Sequence, residues 1–153
     1  MENWKNDRVG SCERGENPMV IARMPSGFAV IGDNQFLPGY CLLLASPRAD
    51  SLNALPPAVR IQFLADMALI GDAILAACRP LRINYSILMN ADHYLHAHIE
   101  ARYDWEPDAY KRGPSYLYPP EERNDPRHAY EEFKHGETRR AIAGALQTLM
   151  RLS

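Results

Sequence analysis

A chain of 153 residues has the length of one ordinary domain and is long enough to bury a core without disulfides or metal. Its composition is 46% hydrophobic and 24% charged with a formal net charge of -2, which offers no electrostatic footprint for a nucleic-acid polymer and favours a small ligand. Cys12, Cys41 and Cys78 are odd in number and lack CxxC spacing, which argues against a disulfide framework or a cysteine zinc site and for a reducing compartment.

The start, "MENWKNDRVGSCERGENP", is polar and lacks the apolar stretch of a signal peptide. No apolar run is read as long enough to span a bilayer, so a cytoplasmic protein with no membrane partner is expected. From Met19, "MVIARM" and "FAVIGD" read as two strands joined by a Pro-Ser-Gly turn. "NQFLPGY" is a turn-bearing loop, and "CLLLAS" is short enough for a buried strand. The Pro56-Pro57 pair can open a helix whose Val59, Phe63, Met67, Ile70, Ile74 and Cys78 recur at spacings of three and four, and Pro80 ends it. "RINYSILMN" and "YLHAHIEARY" follow as two more strands joined by a polar turn through Asn90, Ala91, Asp92 and His93.

The stretch from Asp104 to Asp125 is rich in proline, tyrosine and charge and reads as an irregular segment lying over the surface. Ile142, Leu146 and Leu149 mark a closing amphipathic helix from about Glu137 to Leu152. The expected fold is α+β, with an antiparallel sheet of about five strands, the Pro57 to Cys78 helix on one face and the C-terminal helix at its edge. One domain over 1-153 is expected, with its core in about 18-105.

Chemistry concentrates in "YLHAHIEARY". On a strand, alternate side chains share a face, so His96 and His98 stand side by side with Glu100 and Arg102 beyond them, while Leu95, Ala97, Ile99 and Ala101 face the core. A slip of one residue would bury both histidines. The plainest interpretation of such a pattern is a half-buried strand with its polar side in water.

This strand, preceded by "NYSILMN" and far upstream by "GDNQFLPGYCLLLAS", resembles the histidine-triad (HIT) family of nucleotide-binding hydrolases and transferases, diadenosine tetraphosphate hydrolases among them. The resemblance covers roughly residues 18 to 105. It departs from the family signature in four places: Tyr94 stands at the first histidine position, Glu100 at a normally apolar one and Ala101 at a proline, and Tyr40 replaces the histidine of a Pro-Gly-His motif. His93 has the wrong parity to replace the first histidine.

The resemblance implies that His96 is a nucleophile attacking an α-phosphate and that His98 contacts the phosphate and the bridging atom. Tyr94 and Tyr40 then act as supporting hydrogen-bonding groups. Attack by a neutral imidazole would give a nucleotidyl-histidine that water or another acceptor resolves. Asn90 matches a position that contacts phosphate or ribose, Asn84 less clearly. Asp33 and Asn34 fall near a ribose-binding residue, with a plain Asx turn the alternative. The implied substrate is a purine nucleotide, either a dinucleoside polyphosphate or a phosphoramidate, with no resident cofactor, a divalent metal arriving with the substrate if at all, and a homodimer as the assembly.

Arg102 reads as the partner of a carboxylate such as Glu100. Trp105, Tyr116 and Tyr118 either cover a base or cover a core edge, and His128 and His135 read as solvent-exposed. Two rivals remain open: His96, His98 and Glu100 as a ferrous or zinc site, and a non-catalytic nucleotide-binding protein on the same fold.

Overall fold

The computed structural model describes residues 3-153. Five strands, β1 (Val20–Met24), β2 (Gly27–Ile31), β3 (Cys41–Ala45), β4 (Arg82–Ser86) and β5 (His96–Arg102), form one antiparallel sheet in the order β1-β2-β3-β5-β4. The helices are α1 (Arg8–Glu13), α2 (Pro57–Cys78), α3 (Asp108–Lys111), α4 (Pro120–Arg123) and α5 (Glu132–Leu152), with single 3-10 turns between some of them.

Alternation along the strands decides which side is core. Ala29 and Ile31, Cys41 and Leu43, and Ala97, Ile99 and Ala101 are fully or almost fully buried and pack towards α2. The opposite face carries Val30, Leu42 and Leu44, with Leu42 paired to His98 and Leu44 to His96. The expected α+β architecture is therefore present, with α2 on one face and α5 packed on α2 and the β1 edge.

Several elements differ from the sequence reading. The N-terminal stretch is not merely polar: Trp4 precedes α1, and Trp4, Val9 and Cys12 enter the core, as do Ile142 and Leu146 of α5, so the core draws on residues outside 18-105. Helix α5 starts at Glu132 rather than near Glu137, because the His135 ring accepts a hydrogen bond from the Glu131 N–H at 2.9 Å and satisfies one of the open donors of the first turn. Neither His135 nor His128 is solvent-exposed; both are half-buried, His128 edge-on to Phe36 with centroids 5.0 Å apart. Strand β4 stops at Ser86, and Met89 takes a left-handed conformation (φ 59°) that turns the chain away before Asn90.

Helix α2 also departs from a simple stripe. Phe63, Ile70 and Ile74 are buried as expected, yet Val59 is 43% exposed and Ile61, Leu64 and Leu75 also face outward. With apolar residues all round, the 22-residue helix is long and apolar enough to cross a membrane by length and composition, contrary to the expectation that no such run exists. Here its inner side packs on the sheet and α5.

Candidate active site

Four aromatic rings stand in a row on the sheet face opposite α2, which is not the wet side of a strand because His96 is buried there: Tyr94, His96, His98 and Tyr40. The centroids of His96 and His98 lie 4.9 Å apart, edge to face, so the i, i+2 spacing does make them neighbours. Tyr94 tilts against His96 at 5.0 Å. Tyr40, delivered by the loop between β2 and β3, places its hydroxyl 2.6 Å from His98 Nδ1.

The first of the Nδ1 contacts sets a tautomer, and the second allows the complementary one. His96 Nδ1 is 2.7 Å from the Tyr94 carbonyl oxygen, an acceptor only, so Nδ1 carries the proton and Nε2 keeps its lone pair in the neutral ring. For His98, the Tyr40 hydroxyl can donate to Nδ1, which leaves Nε2–H as a donor on the other side. Burial, and after it the neighbouring His96, lowers the His98 pKa from 6.5 to about 4, so its ring is neutral at neutral pH. Burial also pushes the Tyr40 phenol up, and the nearby carboxylates Glu100 and Asp33 push it further, so it remains a protonated donor.

The loop that presents Tyr40 is built around Gln35, which is buried. Its side-chain amide donates to the carbonyls of Gly32 and Tyr40, both at 3.0 Å, and its oxygen accepts from Gly39 N–H at 2.9 Å. Two glycines are required here. Gly39 has φ 96°, and a Cβ there would meet Cys78 Sγ at 2.9 Å; a Cβ at Gly32 would collide with the Tyr40 ring. The "PGY" loop is thus shaped to hold one phenol against one imidazole.

Below the row lies a cavity of about 270 Å³. Met19, Val30, Leu42 and Leu44 give it an apolar lining, and Arg8, Asn17, Asp33 and Asn34 supply polar groups. The sequence-derived residues are brought together unevenly. His96, His98, Tyr94, Tyr40, Asp33 and Asn34 all line this cavity, whereas Asn90 is exposed and lines none of the cavities around the histidines. Asp33 is already paired with Arg8, at 2.7 and 3.3 Å. Asn34 forms an Asx turn, its oxygen accepting from Phe36 N–H at 2.6 Å while its amide donates to the Arg123 carbonyl at 2.6 Å. The Tyr94 hydroxyl has no hydrogen-bond partner among the described residues; Tyr94 supports His96 through its backbone carbonyl and its ring.

Arg102 does take a structural role, but its partner is Glu106 and not Glu100. The buried guanidinium donates to Glu106 at 2.8 to 3.2 Å, to Asn84 Oδ1 at 2.9 Å, and to the carbonyls of Gly113 (2.6 Å) and Tyr110 (3.0 Å). Glu106 also accepts from Tyr103 N–H and from the Tyr118 hydroxyl. Although burial opposes it, these donors hold the Glu106 carboxyl below its usual range. Asn84 thus serves this clasp. Tyr118 is buried edge-on to Phe36, while Trp105 stacks on Tyr103 and Tyr116 lies exposed at the mouth of a second cavity. Sequence reasoning missed Arg8, Glu106, Ser115 and Arg123, none of which sits in a periodic pattern or a motif, and Gln35, which lies within the quoted Pro-Gly loop stretch without any signal of its own.

Among the described residues no group of three or more His, Cys, Asp or Glu is placed to hold a metal ion; Glu100, the third ligand of the metal reading, instead accepts from Ser115 Oγ at 2.7 Å.

No family model matches the sequence, and no curated protein does. Solved structures do. A Hit-like protein from Bartonella henselae described as involved in cell-cycle regulation superposes with a TM-score of 0.69 at 14% identity, over 95% of this chain and 99% of that one. A histidine triad protein from Marinobacter aquaeolei gives 0.70 at 16% identity over 85% and 89%, and a zinc-bound histidine triad family protein from Mycobacterium smegmatis gives 0.60 at 18% over 94% of each. The chain has the histidine-triad fold. On that fold β5 carries His96 and His98 two residues apart, with Tyr94 two residues before them.

Proposed function

We propose that this protein is a nucleotide hydrolase or nucleotidyl transferase that attacks an α-phosphate through a nucleotidyl-histidine intermediate. The observation that carries the reading is the pair of partnered imidazoles, each held at Nδ1 with Nε2 left for the cavity. His96, tied at Nδ1 to a carbonyl, has its Nε2 lone pair available to the cavity, and His98, tied at Nδ1 to a phenol, has Nε2–H beside it. One ring can attack and the other can donate to the phosphate oxygens and the departing atom.

His96 Nε2 forms a bond to phosphorus, the bond from phosphorus to the leaving atom breaks, and the electron pair departs with that atom. The arriving phosphate anion opposes the desolvation that keeps His98 neutral, so His98 can take up a proton and pass it to the leaving atom. The oxygen of water or another acceptor then bonds to phosphorus, giving its proton to His98, while the bond from phosphorus to His96 Nε2 breaks with its electron pair returning to the ring and the nucleotide is released. The apolar lining at Met19, Val30 and Leu42 suits a purine, and the reading assigns the ribose to Asp33 and Asn34, which line the same cavity. Dinucleoside polyphosphates and nucleotide phosphoramidates both fit this chemistry. The reading includes a cytosolic homodimer and no resident cofactor.

The test is incubation with diadenosine tetraphosphate and with adenosine phosphoramidates, identifying products by mass spectrometry and trapping the adduct before acid destroys it. Release of nucleotide monophosphate with an adduct on His96, lost in His96→Ala while nucleotide binding persists, is the expected result. No turnover of any of these substrates overturns it. A second reading, nucleotide binding without turnover, draws on the Arg8 to Asp33 pair, which already occupies one carboxylate of the cavity. Binding without product over hours would favour that reading.

A further inference from the structure

A second cavity, of about 300 Å³, opens beyond His98. His98, Tyr40 and Asn34 line both cavities, whereas His96 lines only the first. In an in-line displacement the leaving group departs on the side opposite the nucleophile. A phosphorus held at His96, with His98 beside its leaving atom, therefore sends the departing group past His98 and into the second cavity.

Glu100, two residues beyond His98 on the same strand face, lines that space. Its Oε2 accepts from Ser115 Oγ at 2.7 Å, and its Oε1 has no hydrogen-bond partner among the described residues. The nearest arginine along the strand, Arg102, is bound to Glu106 and leaves Glu100 without a salt bridge. Arg123 also lines the cavity, with its Nε donating to the Tyr118 carbonyl at 3.2 Å, and Phe36 and Tyr116 add aromatic walls. Ser115, Tyr116 and Arg123 all come from the 104-125 segment, which thereby builds one side of the space.

We propose that Glu100 is the specificity-determining residue of a leaving-group subsite, selecting a departing group that carries a cationic amine over one that carries further phosphates. The inference rests on the reading of His96 as the nucleophile. Glu100 does not touch the reacting atoms: bond making and breaking stay with His96 and His98, and the carboxylate holds the distal part of the departing group. A half-buried carboxylate with a free oxygen pairs well with an ammonium and repels a polyphosphate confined beside it. Arg123 could receive an anion in the same space, and Glu100 opposes that.

The experiment compares kcat/KM of the full chain on three substrates: an adenosine phosphoramidate of a diamine, the matching phosphoramidate of a neutral-tailed alkylamine of equal length, and diadenosine tetraphosphate. Wild type should prefer the diamine substrate. Glu100→Gln, which keeps an oxygen for Ser115, should lose roughly 10–100-fold of that preference, the loss expected when one partner of a charged hydrogen bond is neutralised. Its kcat/KM on the alkylamine substrate should change far less than on the diamine substrate, and its activity on diadenosine tetraphosphate should rise. Equal preferences in the two proteins, with turnover intact, overturn the inference alone. Absence of turnover and adduct on every substrate overturns the nucleophile reading and the inference with it. Should Glu100→Gln fail to fold, inhibition of the wild-type alkylamine reaction by free diamine decides: it should exceed inhibition by an uncharged alkyl alcohol of equal length, and equal inhibition overturns the proposal.

Discussion

At the scale of single residues, the site depends on which nitrogen holds which proton. Removing the Tyr40 hydroxyl by Tyr40→Phe leaves His98 free to adopt the other tautomer, which would turn a lone pair toward the phosphate. The expected result is a fall in kcat between about tenfold and the ~10⁴-fold cost known for a misassigned catalytic imidazole, with KM less affected. His98→Ala should slow turnover by ~10²–10⁴-fold. Tyr94→His should fold and keep activity, because the contact that fixes His96 comes from the backbone carbonyl of residue 94 and survives any side chain there. Steady-state kinetics on one substrate checks all three.

His98 also links the site to acid stability. Its folded pKa of about 4 lies below the 6.5 of the unfolded chain, so between these values the unfolded state binds more protons. Stability from this group is present above pH 6.5 and is lost as pH falls towards 4. Lowering the pH from neutral to about 4 should therefore reduce the melting temperature of wild type more than that of His98→Gln. A gap independent of pH would show that His98 is not held neutral by its surroundings.

At the scale of elements, legibility followed periodicity. The limits of α2 and the existence of the five strands, though not where β4 ends, could be read because apolar residues recur at spacings that a helix or a pleat turns to one side. His96 and His98 were legible for the same reason, and Tyr40 through its Pro-Gly loop. What could not be read was contact across irregular chain: Arg102 has two carboxylates within reach along the sequence, and only the folded 104-118 turn shows that Glu106 meets it. Nor did any pattern mark Trp4 and α1 as core, since a single turn and a six-residue helix carry too little repeat. The Arg102 to Glu106 clasp is the feature that fastens this segment to β5. Glu106→Ala would strand a guanidinium buried to 3% exposure, and breaking such a pair typically costs about 3–5 kcal/mol. Denaturant melts should register that loss, and proteolysis should cut first between residues 104 and 125; an unchanged midpoint would mean that other contacts hold the segment.

At the scale of the whole molecule, the two sheet edges are treated differently. The edge at β1 is attended by α5, whose Arg139 donates to the Val20 carbonyl at 2.8 Å. The edge at β4 carries Leu81, 50% exposed, and Tyr85, 41% exposed, and the Tyr85 hydroxyl lies against Gly71 of α2. Leu64, Ala68, Gly71 and Leu75 follow one another at helical spacings of three and four, so the exposed Leu64 and Leu75 continue the same apolar side from helix to strand. An open strand edge beside apolar side chains invites pairing with another strand, and a second copy of β4 about a two-fold axis would complete both the hydrogen bonds and the apolar contact at once. The expected mass in solution is about twice the 17.3 kDa of the chain. Leu64→Glu with Leu75→Glu places charges where the two copies would meet, at positions that the monomer leaves in solvent, so the variant should remain folded and sediment as a monomer. Light scattering on wild type and variant checks this. A wild-type monomer at high concentration, or a variant that stays dimeric, would mean that the β4 edge is not where two copies join.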